Sequence, residues 1–136
     1  MGNSPTTITA NLNIRSMGPI SEREMSYSFD CYFRQYWNDK RLKFDHEDEL
    51  TQLQLNNIML RKIWKPDSHF LNGKKSHLHS VTSPNVLFRI EKNGNVRYSM
   101  RLTVKATCPM NLIKYPMDQQ VCSLSIGSSA FISSHI

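Results

Sequence analysis

The stretch Cys108-Pro109-Met110-Asn111-Leu112-Ile113-Lys114-Tyr115-Pro116-Met117-Asp118-Gln119-Gln120-Val121-Cys122 decides how the rest of the chain is read. Two cysteines enclose thirteen residues, among them a Tyr115-Pro116 step, an acid two places further on at Asp118, and apolar side chains at Met110, Leu112 and Met117. Were the two thiols joined, closing a loop of this size would remove about 3 kcal/mol of unfolded-chain entropy. The residues leave two readings open. One is a plain structural staple. The other is a small covalent loop whose own apolar side chains make a rigid knob that presses on a neighbour.

Upstream of Cys108 the chain alternates with period two. Val96, Tyr98, Met100, Leu102, Val104 and Ala106 form one face, and Arg97, Ser99, Arg101, Thr103 and Lys105 the other. This is the pattern of a half-buried strand. Asn93-Gly94 ahead of it is a strong hairpin signal, and Val86, Phe88 and Ile90 supply the partner strand. Near the start, Ile8, Ala10, Leu12 and Ile14 alternate with polar residues, and Gly18-Pro19 is expected to end that strand. A second strand is expected from Met25 to about Trp37, with Met25, Tyr27, Phe29, Cys31 and Phe33 inward and Ser26, Ser28, Asp30, Tyr32, Arg34 and Tyr36 outward. Leu53 and Leu55 mark a short strand, and Asn57 to Trp64 fits either a helical turn or a strand. Turns are expected at Trp64-Lys65-Pro66-Asp67 and Asn72-Gly73-Lys74-Lys75. Val121 to Ile126 reads as the beginning of a last strand, followed by a small, polar tail from Gly127 to Ile136. Short alternating strands with turn signals between them predict an all-β sandwich with the cysteine loop at one end.

Composition narrows the function. The 136 residues have room for one domain. The net charge of +6 could point to nucleic acid, but the basic residues are scattered, adjacent only in short pairs such as Lys74-Lys75. No basic helix, Gly-rich phosphate loop or aromatic RNA-binding motif accompanies them, so no nucleic-acid partner is expected. Asp45-His46-Glu47-Asp48-Glu49 reads as a solvated acidic loop. His77 and His79 share a strand face but lack further ligands, so no metal and no cofactor is expected. Nucleophile elbows, Walker loops and zinc-protease motifs are missing, and the chain is not expected to be an enzyme. No run of eighteen apolar residues could span a bilayer. The opening Met1-Gly2-Asn3-Ser4-Pro5 is polar and unlike a signal peptide, which implies either a start further upstream or a fragment.

The outward-facing groups are more informative. Tyr32 and Arg34 share one face of their strand, and Ser99 and Arg101 one face of theirs. A guanidinium grips a carboxylate with a planar fork, a hydroxyl adds a donor, and an aromatic ring bounds a site or attracts an ammonium. If the two strands are neighbours, these four residues make a half-site for a small zwitterion. On the residues alone the favoured reading is solvated surface arginines.

The Cys108–Cys122 stretch resembles the signature loop of the Cys-loop family of pentameric neurotransmitter-gated channels: cysteine, an apolar third residue, an aromatic-Pro-x-Asp core, three residues and cysteine. The resemblance extends over roughly residues 6 to 128. It is carried by Tyr32-Phe33-Arg34-Gln35 with Trp37, Trp64-Lys65-Pro66-Asp67, Asn72-Gly73-Lys74-Lys75, Asn93-Gly94 and Tyr98-Ser99-Met100-Arg101. It is nearest to the anion-selective branch of GABA-A and glycine receptor-like subunits. The family implies an immunoglobulin-like β-sandwich and a Cys108–Cys122 disulfide formed in an oxidising compartment; Cys31 is then left over, and its strand neighbours place it on an apolar face as a buried free thiol.

The resemblance also implies roles. Tyr32 is the aromatic wall and Arg34 the carboxylate partner on the complementary subunit face, with Ser99 and Arg101 on the second segment of that face. His69 falls where the principal face often carries Tyr or Phe. Leu71 stands where benzodiazepine-sensitive subunits carry histidine, so that drug response is not expected. Tyr115, Pro116, Met117 and Asp118 couple ligand binding to the pore. The ligand is a small amino-acid transmitter (GABA, glycine or glutamate), and the partners are sibling subunits of a pentamer, as a hetero-oligomer. The setting is the extracellular, postsynaptic face of the plasma membrane. Gly127-Ser128-Ser129-Ala130-Phe131 departs from the family pattern, with Gly127 in place of an acid and Ser129 in place of an aromatic. The last strands, the capping loop and the four membrane helices are not in the sequence. The expectation is therefore a single partial extracellular ligand-binding domain over residues 1–136. The alternative is an immunoglobulin-like adhesion module without ligand gating, whose staple would join distant strands across the sandwich.

Overall fold

The computed structural model describes residues 5–45 and 50–128. The opening Met1–Ser4, most of the acidic run, and the tail from Ser129 with Phe131 lie outside them. In chain order the elements are β1 (Thr9–Ser21), β2 (Ser26–Asn38), a 3-10 turn (Lys40–Leu42), β3 (Gln52–Leu55), α1 (Asn57–Leu60), β4 (Ser68–Phe70), β5 (Gly73–Leu78), β6 (Val86–Glu91), β7 (Asn95–Thr107) and β8 (Ile126–Ser128). The fold class is the expected all-β one. One sheet has the order β1-β2-β7-β6-β3 with β5 also paired to β7, and β4 and β8 form a second. The chain divides into two compact units. The first comprises Met1–Asn13, Tyr32–Trp64 and Leu78–Arg101. The second comprises Ile14–Cys31, Lys65–His77 and Leu102–Ile136.

The first unit is built on Trp37, Leu55, Leu60, Phe88, Ile90 and Val96, all buried in one cluster. Trp37 is its hub, meeting Trp64, Phe88 and Tyr98 edge-on at 6.0, 6.0 and 6.4 Å between ring centroids, the geometry that ring quadrupoles favour. The β6–β7 hairpin forms where Asn93-Gly94 predicts it, with Phe88 opposite Tyr98 and Ile90 opposite Val96. Gly94 has φ +87°, and a Cβ there would come within 2.6 Å of the Asp39 carbonyl, so backbone conformation and space both require glycine. The ambiguous segment after β3 is a single helical turn. Its start is fixed by Asn56, whose Oδ1 accepts the Met59 N–H at 3.0 Å.

In the second unit Tyr27, Phe29 and Cys31 of β2 are buried, as are Val104, Ala106, Cys108 and Met110. The period-two reading of β2 holds except at Met25 and at Ser26, which was expected outward and is buried. Met25 is exposed in the turn before the strand with φ +48°, and its carbonyl accepts the Cys108 N–H at 2.8 Å. Turn geometry rather than core packing sets its place. Burial pushes the free Cys31 thiol up to about 11, helped by the neighbouring Asp30 carboxylate.

Three boundaries differ from expectation. Gly18-Pro19 does not end β1, which continues to Ser21 at the end of the sheet order. An edge strand tolerates a proline, and Gly18 lies so close to Ser28 that a Cβ would meet its Oγ at 2.3 Å. Gly73-Lys74-Lys75 open β5 rather than continuing the turn at Leu71-Asn72. The last strand starts only at Ile126, because residues 121–125 are held otherwise. Asn72 Nδ2 donates to Ser123 O at 2.7 Å and to Thr107 O at 3.2 Å, its Oδ1 accepts the Ser125 N–H at 2.9 Å, and Tyr27 Oη donates to Ser123 O at 2.9 Å.

Cys108 and Cys122 are joined, with Cα atoms 5.3 Å apart. The loop is organised from inside. Gln120 Nε2 donates to Asn111 O at 2.8 Å and also to Asp118 Oδ2, and Asn111 N–H donates back to Gln120 Oε1 at 3.3 Å. Met110 is buried, whereas Ile113 and Met117 are 88% and 89% exposed and Tyr115 is half exposed. The apolar knob thus presents its outer side chains to solvent.

Candidate functional site

The outward face of the first unit carries the site. Period-two alternation places Tyr32, Arg34 and Tyr36 on one face of β2 and Arg97, Ser99 and Arg101 on one face of the adjacent β7. Register extends the face onto β6, where Leu87 stands opposite Ser99 and Arg89 opposite Arg97. A pocket of about 500 Å³ opens on it, lined from these strands by Tyr32, Arg34, Leu87, Arg97 and Ser99 and on the remaining rim by the segment from Val81 to Val86. Asn85 shapes that rim. Its Nδ2 donates to Val81 O at 3.2 Å and Ser83 O at 2.9 Å. Its backbone N–H donates to His79 O at 2.8 Å, and its carbonyl accepts the Arg101 N–H at 3.1 Å.

The pocket's electrostatics are one-sided. Two lining residues are arginines and none is an acid. Arg34 Nε and Arg97 Nε are buried and find no hydrogen-bond partner among the described residues. A buried donor left unpaired costs about 1–3 kcal/mol, and both arginines line the pocket, so a ligand there meets two cations. Ser99, only 8% exposed, adds a hydroxyl, and Tyr32 adds a half-buried ring. A planar anion such as a carboxylate fits this donor set.

Of the residues singled out in the sequence, Tyr32, Arg34 and Ser99 come together at this pocket. Arg101 is not among its lining residues, and its backbone instead ties β7 to His79 and Asn85. His69 belongs to the second unit, exposed in β4 opposite Gly127 of β8, the position that lacks the family's acid. Arg97 and the Val81–Val86 rim were not singled out. Alternation already put Arg97 on the face of Ser99, whereas the rim lacks any periodic signal. No group of three or more metal-ligating side chains occurs among the described residues. The disulfide closes a loop over a separation of 14 residues and does not staple distant strands.

The chain thus combines an all-β fold, a short disulfide loop and a pocket lined by arginine and aromatic side chains. The family model of the neurotransmitter-gated ion-channel ligand binding domain, an immunoglobulin-like β-sandwich, matches residues 1–136, and the chain belongs to that family. Among relatives, it is 53% identical over 135 residues, 99% of its length, to the gamma-aminobutyric acid receptor alpha-like protein of Drosophila melanogaster. It is 49% identical over 99% of its length to the alpha-6 subunit of the gamma-aminobutyric acid receptor of Gallus gallus, and 47% identical over its whole length to the alpha-2 subunit of Homo sapiens. The chain spans 19%, 29% and 30% of the length of these three relatives. No helix among the described residues is long and apolar enough to cross a membrane.

Proposed function

We propose that this chain is the ligand-binding portion of a neurotransmitter-gated chloride channel subunit and that its pocket takes a small amino-acid transmitter at the face between two subunits. The observation that carries this reading is Arg34. Its buried Nε has no partner, and Tyr32 and Ser99 line the same pocket. Arg34 receives the transmitter carboxylate, Ser99 supplies a further donor, Tyr32 walls the site, and Arg101 holds the strand that carries Ser99. His69 contributes from the opposite, principal type of face. The partners are sibling subunits in a hetero-oligomeric pentamer, and the setting is the extracellular, postsynaptic face of the plasma membrane. The disulfide supports that setting, since such bonds persist in oxidising compartments. Residues 1–136 act as one ligand-binding domain. The Tyr115-Pro116-Met117-Asp118 tip of the loop, exposed at Tyr115 and Met117, relays occupancy to the pore.

The test is electrophysiological, in receptors whose subunit carries this sequence. Arg34→Ala shifts the agonist response to about ten- to a hundred-fold higher concentration, the scale of a lost charge-assisted contact, with surface expression unchanged. Arg34→Lys recovers part of the loss, because an ammonium lacks the fork. An unshifted Arg34→Ala curve would remove the pocket from ligand binding. In the same recordings Asp118→Ala lowers the maximal current more than it moves the half-maximal concentration. The reverse pattern assigns the loop to folding alone.

A further inference from the structure

Two guanidiniums line the pocket, and the transmitter reading uses one of them. The other, Arg97, is held in place: its Cζ lies 5.9 Å from the centroid of the Tyr36 ring, within cation–π range, and its Nε is buried without a partner. Directly across the hairpin stands Arg89. Like charges opposite each other weaken a sheet. None of Arg34, Arg89 and Arg97 enters an ion pair among the described residues. A concave site with fixed cations and no acid concentrates anions. A ligand with a single carboxylate satisfies one fork, leaves the other buried donor unpaired, and brings its own ammonium into a positive field. A ligand with two acidic groups satisfies both forks and carries net negative charge.

We infer that Arg97 is a specificity-determining residue that makes this pocket select amino acids bearing two acidic groups, the aminodicarboxylates, over those bearing one. Tyr36 is its positioning residue, acting through the ring contact. The inference rests on the transmitter-site reading and adds the second acid to it.

Glutamate and γ-aminobutyrate are suitable probes because they differ by one carboxylate. In receptors carrying this sequence, glutamate is expected to act at lower concentration than γ-aminobutyrate. Arg97→Gln raises the half-maximal concentration of glutamate about ten-fold or more, the scale of one charged hydrogen bond, and moves γ-aminobutyrate by less than about two-fold. Arg97→Lys restores part of the glutamate response, and surface labelling checks assembly of each variant. A wild-type preference for γ-aminobutyrate overturns the inference. So does an Arg97→Gln shift that is equal for both ligands or absent from both. Arg34→Ala separates the two claims. If it leaves both curves in place, the transmitter site itself is wrong. If it shifts both while Arg97→Gln does not discriminate, only the second acid is lost.

Discussion

The outward faces of β2 and β7 differ between the two units through which these strands run. In the second unit the polar groups find one another. Asp30 accepts hydrogen bonds from Ser16 and Thr103, and Glu24 pairs with Lys105 and, at 3.9 Å, with Lys74. In the first unit the same strands present Arg34 and Arg97, with neither paired and both Nε atoms buried. A surface whose charges are mutually satisfied contributes to the fold and asks for nothing further. One whose half-buried cations have no counter-charge among the described residues is open to an anion from outside. The difference separates a face whose charges answer one another from a face that opens into a cationic pocket.

The largest effect on this contrast comes from the covalent bond in the second unit. Cys108→Ser or Cys122→Ser should lower unfolding free energy by about 3 kcal/mol, measured by urea denaturation. Mapping of non-reduced peptides should show Cys108 joined to Cys122 and Cys31 free. A bridge to Cys31 would contradict the loop. Charge neutralisation sharpens the contrast at smaller scale. Without ligand, Arg34→Gln should change stability by no more than about 0.5 kcal/mol in the destabilising direction, and a gain is compatible with removing an uncompensated cation. Glu24→Gln should destabilise at neutral pH, and its effect should depend on pH. The hydrogen bond from Lys105, with the charges of Lys105 and Lys74, holds the Glu24 carboxyl below its usual range. The folded state therefore favours the ionised form, so the contribution is full above the ordinary carboxylate range and is lost as pH falls through it to the depressed value. Wild type and Glu24→Gln should converge in acid. Parallel stability curves down to low pH would show that Glu24 is not coupled to Lys105.

Much of this was legible in the sequence because it depends on period and local chemistry. Alternation from Tyr27 to Trp37 and from Val96 to Ala106 gave the strands and their faces and Asn93-Gly94 the hairpin, while the resemblance of the Cys108–Cys122 stretch to the Cys-loop signature implied the disulfide. Features set by distant partners were not legible. Met25 continues the alternation of β2 on paper, yet its place follows from the turn and from Cys108. Residues 121–125 look like a strand until Asn72 and Tyr27 claim the Ser123 carbonyl. At the candidate site, period put Tyr32 with Arg34 on one face and Ser99 on the outward face of its own strand, while the resemblance implied that the two strands are neighbours. The Val81–Val86 rim could not, since its shape comes from the side chain of Asn85 bonding backward to the carbonyls of Val81 and Ser83.

Asn72 has a consequence for the order in which the molecule is made. Its side chain binds the backbone of Thr107, Ser123 and Ser125, which lie 35, 51 and 53 residues further along the chain. On a ribosome these partners do not yet exist when Asn72 emerges. At about 5–20 residues per second the amide waits roughly 3 to 10 s for its last partner. The first unit ends at Arg101 and has no such debt to residues beyond it among its core members. Its aromatic cluster around Trp37 is complete in sequence once Tyr98 has been added. Translation therefore delivers the pocket-bearing face first and the latch of the disulfide end last.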